Sequence, residues 1–283
     1  MKADQLTGVC TYHGEGPIWD APAGVLRWVD MLNGDVLTLY PDGEIGRRHV
    51  GIIAAAMRSR AGGGLVLAVE HGFVLIGADG QAGPEQVAFT DPGIRMNEGG
   101  ADRQGRFFCG SMPYDKGGPR GSFYRFDPGG EISLVFGGVT ISNGVAWSAD
   151  GERMYYIDTP TRRVDVFDYD TAAGLPSGRR PLVHVDPAQG GPDGMALDAE
   201  GGMWVAMHGG HAVHRYTPGG TLDAVVELPP AQVTACAFGG EDLSQLYITT
   251  SRENLPPDAD PQAGALFQVT PGVRGLPLGT FAG

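Results

Sequence analysis

One short unit recurs six times along this chain, and the recurrence constrains the fold more than any other feature of the sequence. The unit is an apolar stretch, a polar turn containing Gly, a second apolar or aromatic stretch, then a third that ends in an aromatic residue and another turn. Residues 143–170 read NGVAWSADGERMYYIDTPTRRVDVFDYD, and residues 193–220 read DGMALDAEGGMWVAMHGGHAVHRYTPGG. Residues 15–43 hold EGPIWDAPAG, VLRWVDM and GDVLTLYPDG, while residues 97–105 hold NEGGADRQG, continued by RFFCGSM and GSFYRFDPGG. Weaker copies run over 54–80 and 234–251, the last resuming as GALFQVTPG. The stretches are short, alternate at period two and end in turn residues; no period of 3.6 competes with them. Repeat starts fall 39 to 50 residues apart, for example 41 between 193 and 234 and 50 between 143 and 193. Four short strands at that spacing make a propeller blade. The expectation is an all-β, six-bladed β-propeller of four-stranded antiparallel blades, one domain over 1–283. The GH…WD signature of WD40 blades is absent. The 47 glycines and 21 prolines are spread along the whole chain and so serve as turn punctuation.

The repeats align on their turn glycines. Asn97, Asn143 and Asp193 each lie 8 residues before Gly105, Gly151 and Gly201. Glu15 lies 4 before Trp19, as Asn143 lies 4 before Trp147, and Thr234 lies 4 before Phe238. The second repeat offers only Ala55 or Ala56 there. The first strand of a blade lines the central channel, so these positions form a ring at one mouth: Glu15, Ala55 or Ala56, Asn97, Asn143, Asp193 and Thr234. Two carboxylates forced together in a partly dehydrated channel repel unless a cation intervenes. A divalent ion would balance Glu15 and Asp193, and Asn143 would add a neutral carbonyl oxygen. Oxygen ligation suits Ca²⁺, Mg²⁺ or Mn²⁺, and also admits Zn²⁺ or Fe²⁺. The alternative is a polar channel that holds only water.

Charge and composition narrow the partners. A net charge of −13 argues against binding along nucleic-acid phosphates. The opening MKADQLTGVC has no apolar run of signal-peptide length, and no stretch reaches membrane-spanning length, so a cytoplasmic protein is expected. Cys10, Cys109 and Cys236 are odd in number and far apart; they read as small buried hydrophobes, not as a disulfide framework.

The segments HGEGPIWD (13–20), RMNEGGADRQGRFFCGSM (95–112), ISNGVAWSADGERMYYID (141–158), PDGMALDAEGGMWVA (192–206) and GTFAG (279–283) resemble the gluconolactonase, regucalcin and luciferin-regenerating family across all six repeats. The resemblance implies one divalent metal held by Glu15, Asn143 and Asp193, with Asp193 also the catalytic base. It implies that Arg95 and Asn97 hold sugar hydroxyls. Glu98 falls in the same substrate motif, at a place where the family more often carries Asp, and its longer side chain alters the reach of the pocket. The implied reaction is hydrolysis of a sugar lactone: the metal polarises the carbonyl, and water deprotonated by Asp193 attacks it. Alternatives are a hydrolase of other lactones or organophosphates on the same fold, a non-catalytic calcium- or ligand-binding propeller, and a protein-interaction propeller.

Chain direction places the loop after each second strand beside the ring. These loops start near Met31, Glu70, Met112, Asp158, His208 and Ser251. Those at 112–122 and 251–264 are long and are candidate substrate lids. Asp158 is either a partner of the metal ligands or a turn cap. His208, His211 and His214 straddle a hairpin turn that points them in different directions, so zinc is not expected there, although His208 alone lies at the mouth. His13 is expected to point off the start of the first strand. Gly62–Gly64 is a hairpin turn. Neither GxxxxGK[ST] nor GxSxG occurs. Trp28, Trp147 and Trp204 fall at repeating strand positions and are expected to pack between blades.

Overall fold

The computed structural model describes residues 1–256 and 258–283. Six four-stranded antiparallel sheets follow one another along the chain. The first five span Gly14–His49, Ala54–Val87, Ile94–Val139, Ser142–His184 and Gly191–Glu227, each pairing its strands in chain order. The sixth takes Val233–Gly239, Gln245–Thr250 and Phe267–Val269 and is completed by Asp4–Gln5 from the start of the chain. The register is Asp4 opposite Gln268 and Gln5 opposite Phe267. N-terminal residues therefore supply the outer strand of the last blade. This is the propeller that the repeats predict. Among the described residues, no helix is long and apolar enough to cross a membrane.

The six innermost strands are Gly14–Asp20, Ala54–Ser59, Ile94–Ala101, Ser142–Trp147, Gly191–Leu197 and Val233–Gly239. Each neighbours the next, and the sixth returns to the first, so they form a closed ring of strands around the axis. The close fit explains two glycines. A Cβ on Gly194 would stand 2.6 Å from the Ala235 Cβ and 2.9 Å from its Cα. A Cβ on Gly144 would stand 2.9 Å from the Asp193 carbonyl oxygen. Only glycine lets adjacent inner strands approach this closely.

Between the blades, alternating residues interdigitate. Trp28 and Trp204 are fully buried, and Trp204 donates from Nε1 to Asp198 at 2.9 Å. Trp147 packs 5.1 Å from Phe108 and edge-on to Tyr169, in an aromatic cluster between the third and fourth blades. Side chains of this size contribute about 1.5–3 kcal/mol each on burial. Cys109 and Cys236 are buried, and Cys10 is half-buried. The turn glycines Gly105, Gly151 and Gly201, on which the repeats align, all have φ between 77° and 83°.

Candidate active site

Every inner strand breaks register at the ring position. The shifts lie between Glu15 and Ile18, Ala54 and Ala56, Met96 and Gly99, Ser142 and Val145, Pro192 and Met195, and Val233 and Ala235. A bulge bends a strand and re-aims a side chain, and six of them turn these positions toward the axis together. Glu15, Arg95, Asn97, Asn143 and Asp193 line one cavity of about 130 Å³, shared with His13, His208, Thr159, Lys116 and Glu253. Asn97 and Asn143 are joined directly, since the Asn97 amide nitrogen donates to Asn143 Oδ1 at 2.9 Å. The ring members from the second and sixth blades contribute no polar group. Ala55 is buried, and Thr234 turns its hydroxyl to the Gly14 carbonyl at 2.6 Å, tying the sixth blade to the first.

A line of hydrogen bonds fixes the amides. Arg95 Nη1 donates to Asn97 Oδ1 at 2.7 Å, and Asn97 Nδ2 donates to the Ser142 carbonyl and to Asn143. Asn143 Nδ2 donates to Thr159 Oγ1 at 2.7 Å, and that hydroxyl donates to the Pro192 carbonyl at 2.7 Å. The line crosses three blades and leaves one lone pair on each amide oxygen for a ligand. The Arg95 guanidinium also lies 5.9 Å from the Tyr114 ring centroid.

The carboxylates are held otherwise. Glu15 Oε2 accepts from the Gly16 backbone nitrogen at 3.1 Å, while Asp193 Oδ1 and Glu98 Oε2 are buried with no hydrogen-bond partner. Burial raises the Glu15 carboxyl to about 7 against the opposing Gly16 hydrogen bond and Arg95 charge. Burial, then the charges of Glu15 and Glu98, raises Asp193 well above the ordinary carboxylate range. Glu98 does not line the cavity. It is buried, and it rises for the same reasons, opposed by the Arg58 charge. Among the described residues, no three His, Cys, Asp or Glu side chains converge as a metal cluster. The ring brings only two carboxylates, Glu15 and Asp193, to the cavity, beside the amides of Asn97 and Asn143.

Several neighbours differ from the sequence expectation or escape it. His13 points into the cavity: its backbone nitrogen is capped by Asp30, and Nδ1 meets Ser251 Oγ at 2.7 Å, leaving Nε2 3.9 Å from Glu15 Oε1. The strand begins only at Gly14, so alternation does not govern His13. Burial, then the Arg95 charge, lowers this imidazole well below its ordinary value. His208 lines the cavity, His211 faces the Pro229 carbonyl, and His214 is buried against the Tyr216 hydroxyl. Asp158 caps the backbone, accepting from Thr140 and Ile141 nitrogens at 3.1 and 2.8 Å, just before Asn143. Thr159 escapes sequence reasoning; its only signal is its place at the start of a mouth-side loop. Of the two long loops, 112–122 sends Met112 and Lys116 to the cavity and 251–264 sends Glu253; residue 257 lies outside the described residues.

The match to known proteins decides the family. Residues 13–252 match the model of the SMP-30/Gluconolactonase/LRE-like region. The chain belongs to the SMP-30/gluconolactonase/LRE-like family. Within that family it is 34% identical over 284 residues to regucalcin of Oryctolagus cuniculus, covering 95% of each chain. A luciferin-regenerating enzyme superposes with a TM-score of 0.91 at 29% identity, over 99% of both chains. A calcium-binding regucalcin of Agrobacterium tumefaciens also gives 0.91, at 28% identity, over 100% of this chain and 97% of that one. The cavity of this family member is thus built at the mouth of a shared scaffold.

Proposed function

We propose that this cavity is the active site of a metal-dependent hydrolase that opens sugar lactones. One observation carries the reading. Glu15, Asn143 and Asp193, from three blades, meet in one cavity with two buried carboxylates and, among the described residues, no Lys or Arg close enough to either for an ion pair. The donor set fits a hard divalent ion: two carboxylates, one oriented amide oxygen, and an Asp193 oxygen that accepts no hydrogen bond. Membership of a family that includes gluconolactonases, and the calcium-binding Agrobacterium relative, support the same reading. Ca²⁺, Mg²⁺, Mn²⁺, Zn²⁺ and Fe²⁺ are all compatible with such ligands.

A bound ion supplies Lewis acidity at the lactone carbonyl and charge balance for the two acids. The chain's own residues do the rest. Asp193, with Oδ1 free, takes a proton from the attacking water, a step that contributes roughly 10²–10⁴-fold. Asn97 accepts one hydroxyl hydrogen on its remaining lone pair, and Arg95 offers the donors of its other nitrogens. Thr159 and Asn97 lock the rotamer of Asn143 from both sides.

The test is a panel of aldonolactones assayed with each of the five ions, before and after chelation. Turnover should vanish with chelator and return with at least one ion, and Asp193→Asn should lower kcat by about 10²–10⁴-fold. Ion binding without turnover on any lactone would favour a calcium-binding propeller. Turnover of organophosphates alone would move the chemistry to phosphorus.

A further inference from the structure

We infer that Lys116 is a product-positioning residue, whose ammonium exchanges Glu253 for the carboxylate that lactone opening creates. The inference rests on the lactonase reading for its substrate class, but the pair on which it is built includes none of the proposed metal ligands.

Lys116 and Glu253 come from different mouth-side loops and meet over the site, Nζ to Oε2 at 3.4 Å, and both line the cavity. Each is held at its base. Lys116 occupies a left-handed position, φ 55°, with its backbone nitrogen donating to the Pro113 carbonyl and Asp115 paired to Arg120. A non-glycine residue in that conformation is uncommon and concentrates at functional sites. Glu253 is tied by its backbone nitrogen to Ser251 Oγ at 2.9 Å and by its carbonyl to Gln232 at 3.2 Å. Among the described residues, the two charged tips hydrogen-bond only to each other. Their pair is half-exposed on the lysine side, and pairs of that kind are worth about 0–1 kcal/mol. It is too weak to be a structural staple and weak enough to break in every turnover.

Size and chemistry give the exchange a purpose. The cavity, about 130 Å³ with the two tips together, is smaller than the roughly 300–1,000 Å³ usual for small-molecule sites, and parting the tips would widen it for a sugar-sized ligand. Hydrolysis joins the oxygen of water to the carbonyl carbon and breaks the ring C–O bond. One proton passes to the departing alkoxide oxygen, and the new carboxylic acid gives another to solvent. A neutral substrate thereby becomes an anion in a cavity where the proposed ion already offsets Glu15 and Asp193 and where Glu253 adds a further negative charge beside Lys116. Lys116 is the exposed cation there; Arg95 is buried and already engaged with Asn97. The Lys116 charge reaches the depth of the site. It helps push His208 down directly after burial, lowers His13 after burial and the charges of Arg95 and His208, and opposes the rise of Asp193 that burial, Glu15 and Glu98 cause.

The experiment uses the metal-loaded full chain, with D-gluconate as the anionic probe, D-glucitol as its uncharged counterpart and glucono-1,5-lactone as substrate. Calorimetric titration of gluconate should show about tenfold weaker binding for Lys116→Met and recovery for Lys116→Arg. Glu253→Gln, which frees Lys116, should tighten gluconate severalfold and deepen product inhibition. Glucitol affinity should follow none of these changes, and the loss on gluconate in Lys116→Met should exceed any change in lactone KM by at least about threefold. Equal gluconate affinity in wild type and Lys116→Met overturns the inference. So does no measurable gluconate binding to wild type, or equal losses for gluconate and glucitol. If wild type binds gluconate through Lys116 yet opens no lactone, the exchange stands and the lactonase reading falls.

Discussion

Glu15 shows how a single buried carboxyl can make this molecule's stability depend on pH. Burial raises its carboxyl from 4.5 to about 7 in the metal-free chain. A raised carboxyl means that the folded state binds the proton more tightly than the unfolded one. Its stabilisation is therefore complete below the unfolded value and is lost as pH rises through the folded one. From pH 4.5 to about 7 the metal-free protein should lose about 3 kcal/mol from Glu15. Asp193 moves in the same direction. We expect the Tm of chelated wild type to fall across this window relative to Glu15→Gln, and saturating metal to remove most of the difference. Parallel Tm curves for the two proteins would contradict the assignment.

At the scale of the element, the inner strand is the working unit. The bulge at each ring position aims the side chain, and an aspartate ending the second strand holds the strand's entrance. Asp158 caps residues 140 and 141, and Asp30 does the same for Tyr12 and His13 at 3.1 and 3.0 Å. Removing the Asp158 carboxylate leaves two backbone N–H groups without their acceptor, each worth about 1–3 kcal/mol where buried. Asp158→Ala should therefore lower Tm by several degrees and weaken metal binding through Asn143. Asp158→Asn, which keeps one accepting oxygen, should fall between it and wild type. Thermal denaturation with metal titration checks both, and unchanged metal affinity in Asp158→Ala would refute the link to the site.

For the whole molecule, closure is achieved twice. Asp4–Gln5 completes the sixth blade, and the end of the chain crosses from the fifth and sixth blades to the second and third. Leu276 donates to the Leu197 carbonyl, Phe281 to Ser59 and Ala282 to Gly105, while Arg60 holds the Gly283 carbonyl at 2.7 Å. Phe281 is fully buried and stacks 5.2 Å from Phe126. Its truncation removes a large core side chain, so Phe281→Ala should cost about 3–5 kcal/mol. A chemical-denaturation midpoint indistinguishable from wild type would show that this crossing segment adds nothing to closure.

The repeats, their turn glycines and the ring position could be read in the sequence because they are local and periodic: alternation, a turn and a fixed count of residues recur whatever surrounds them. Glu15, Asn97, Asn143 and Asp193 were found by counting from those turns, and Arg95 and Glu98 came with the family resemblance. Tertiary structure decided what has no period. It turned His13 inward, because a bond to Ser251 and a cap from Asp30 override alternation outside the strand. It kept Glu98 out of the cavity lining, although Asn97 beside it in the same bulge reaches the cavity. It brought Lys116 to Glu253, and Thr159 to Asn143. The contacts of His13 with Ser251 and of Lys116 with Glu253 join the first and third blades to the sixth, so their geometry depends on how the blades close around the axis.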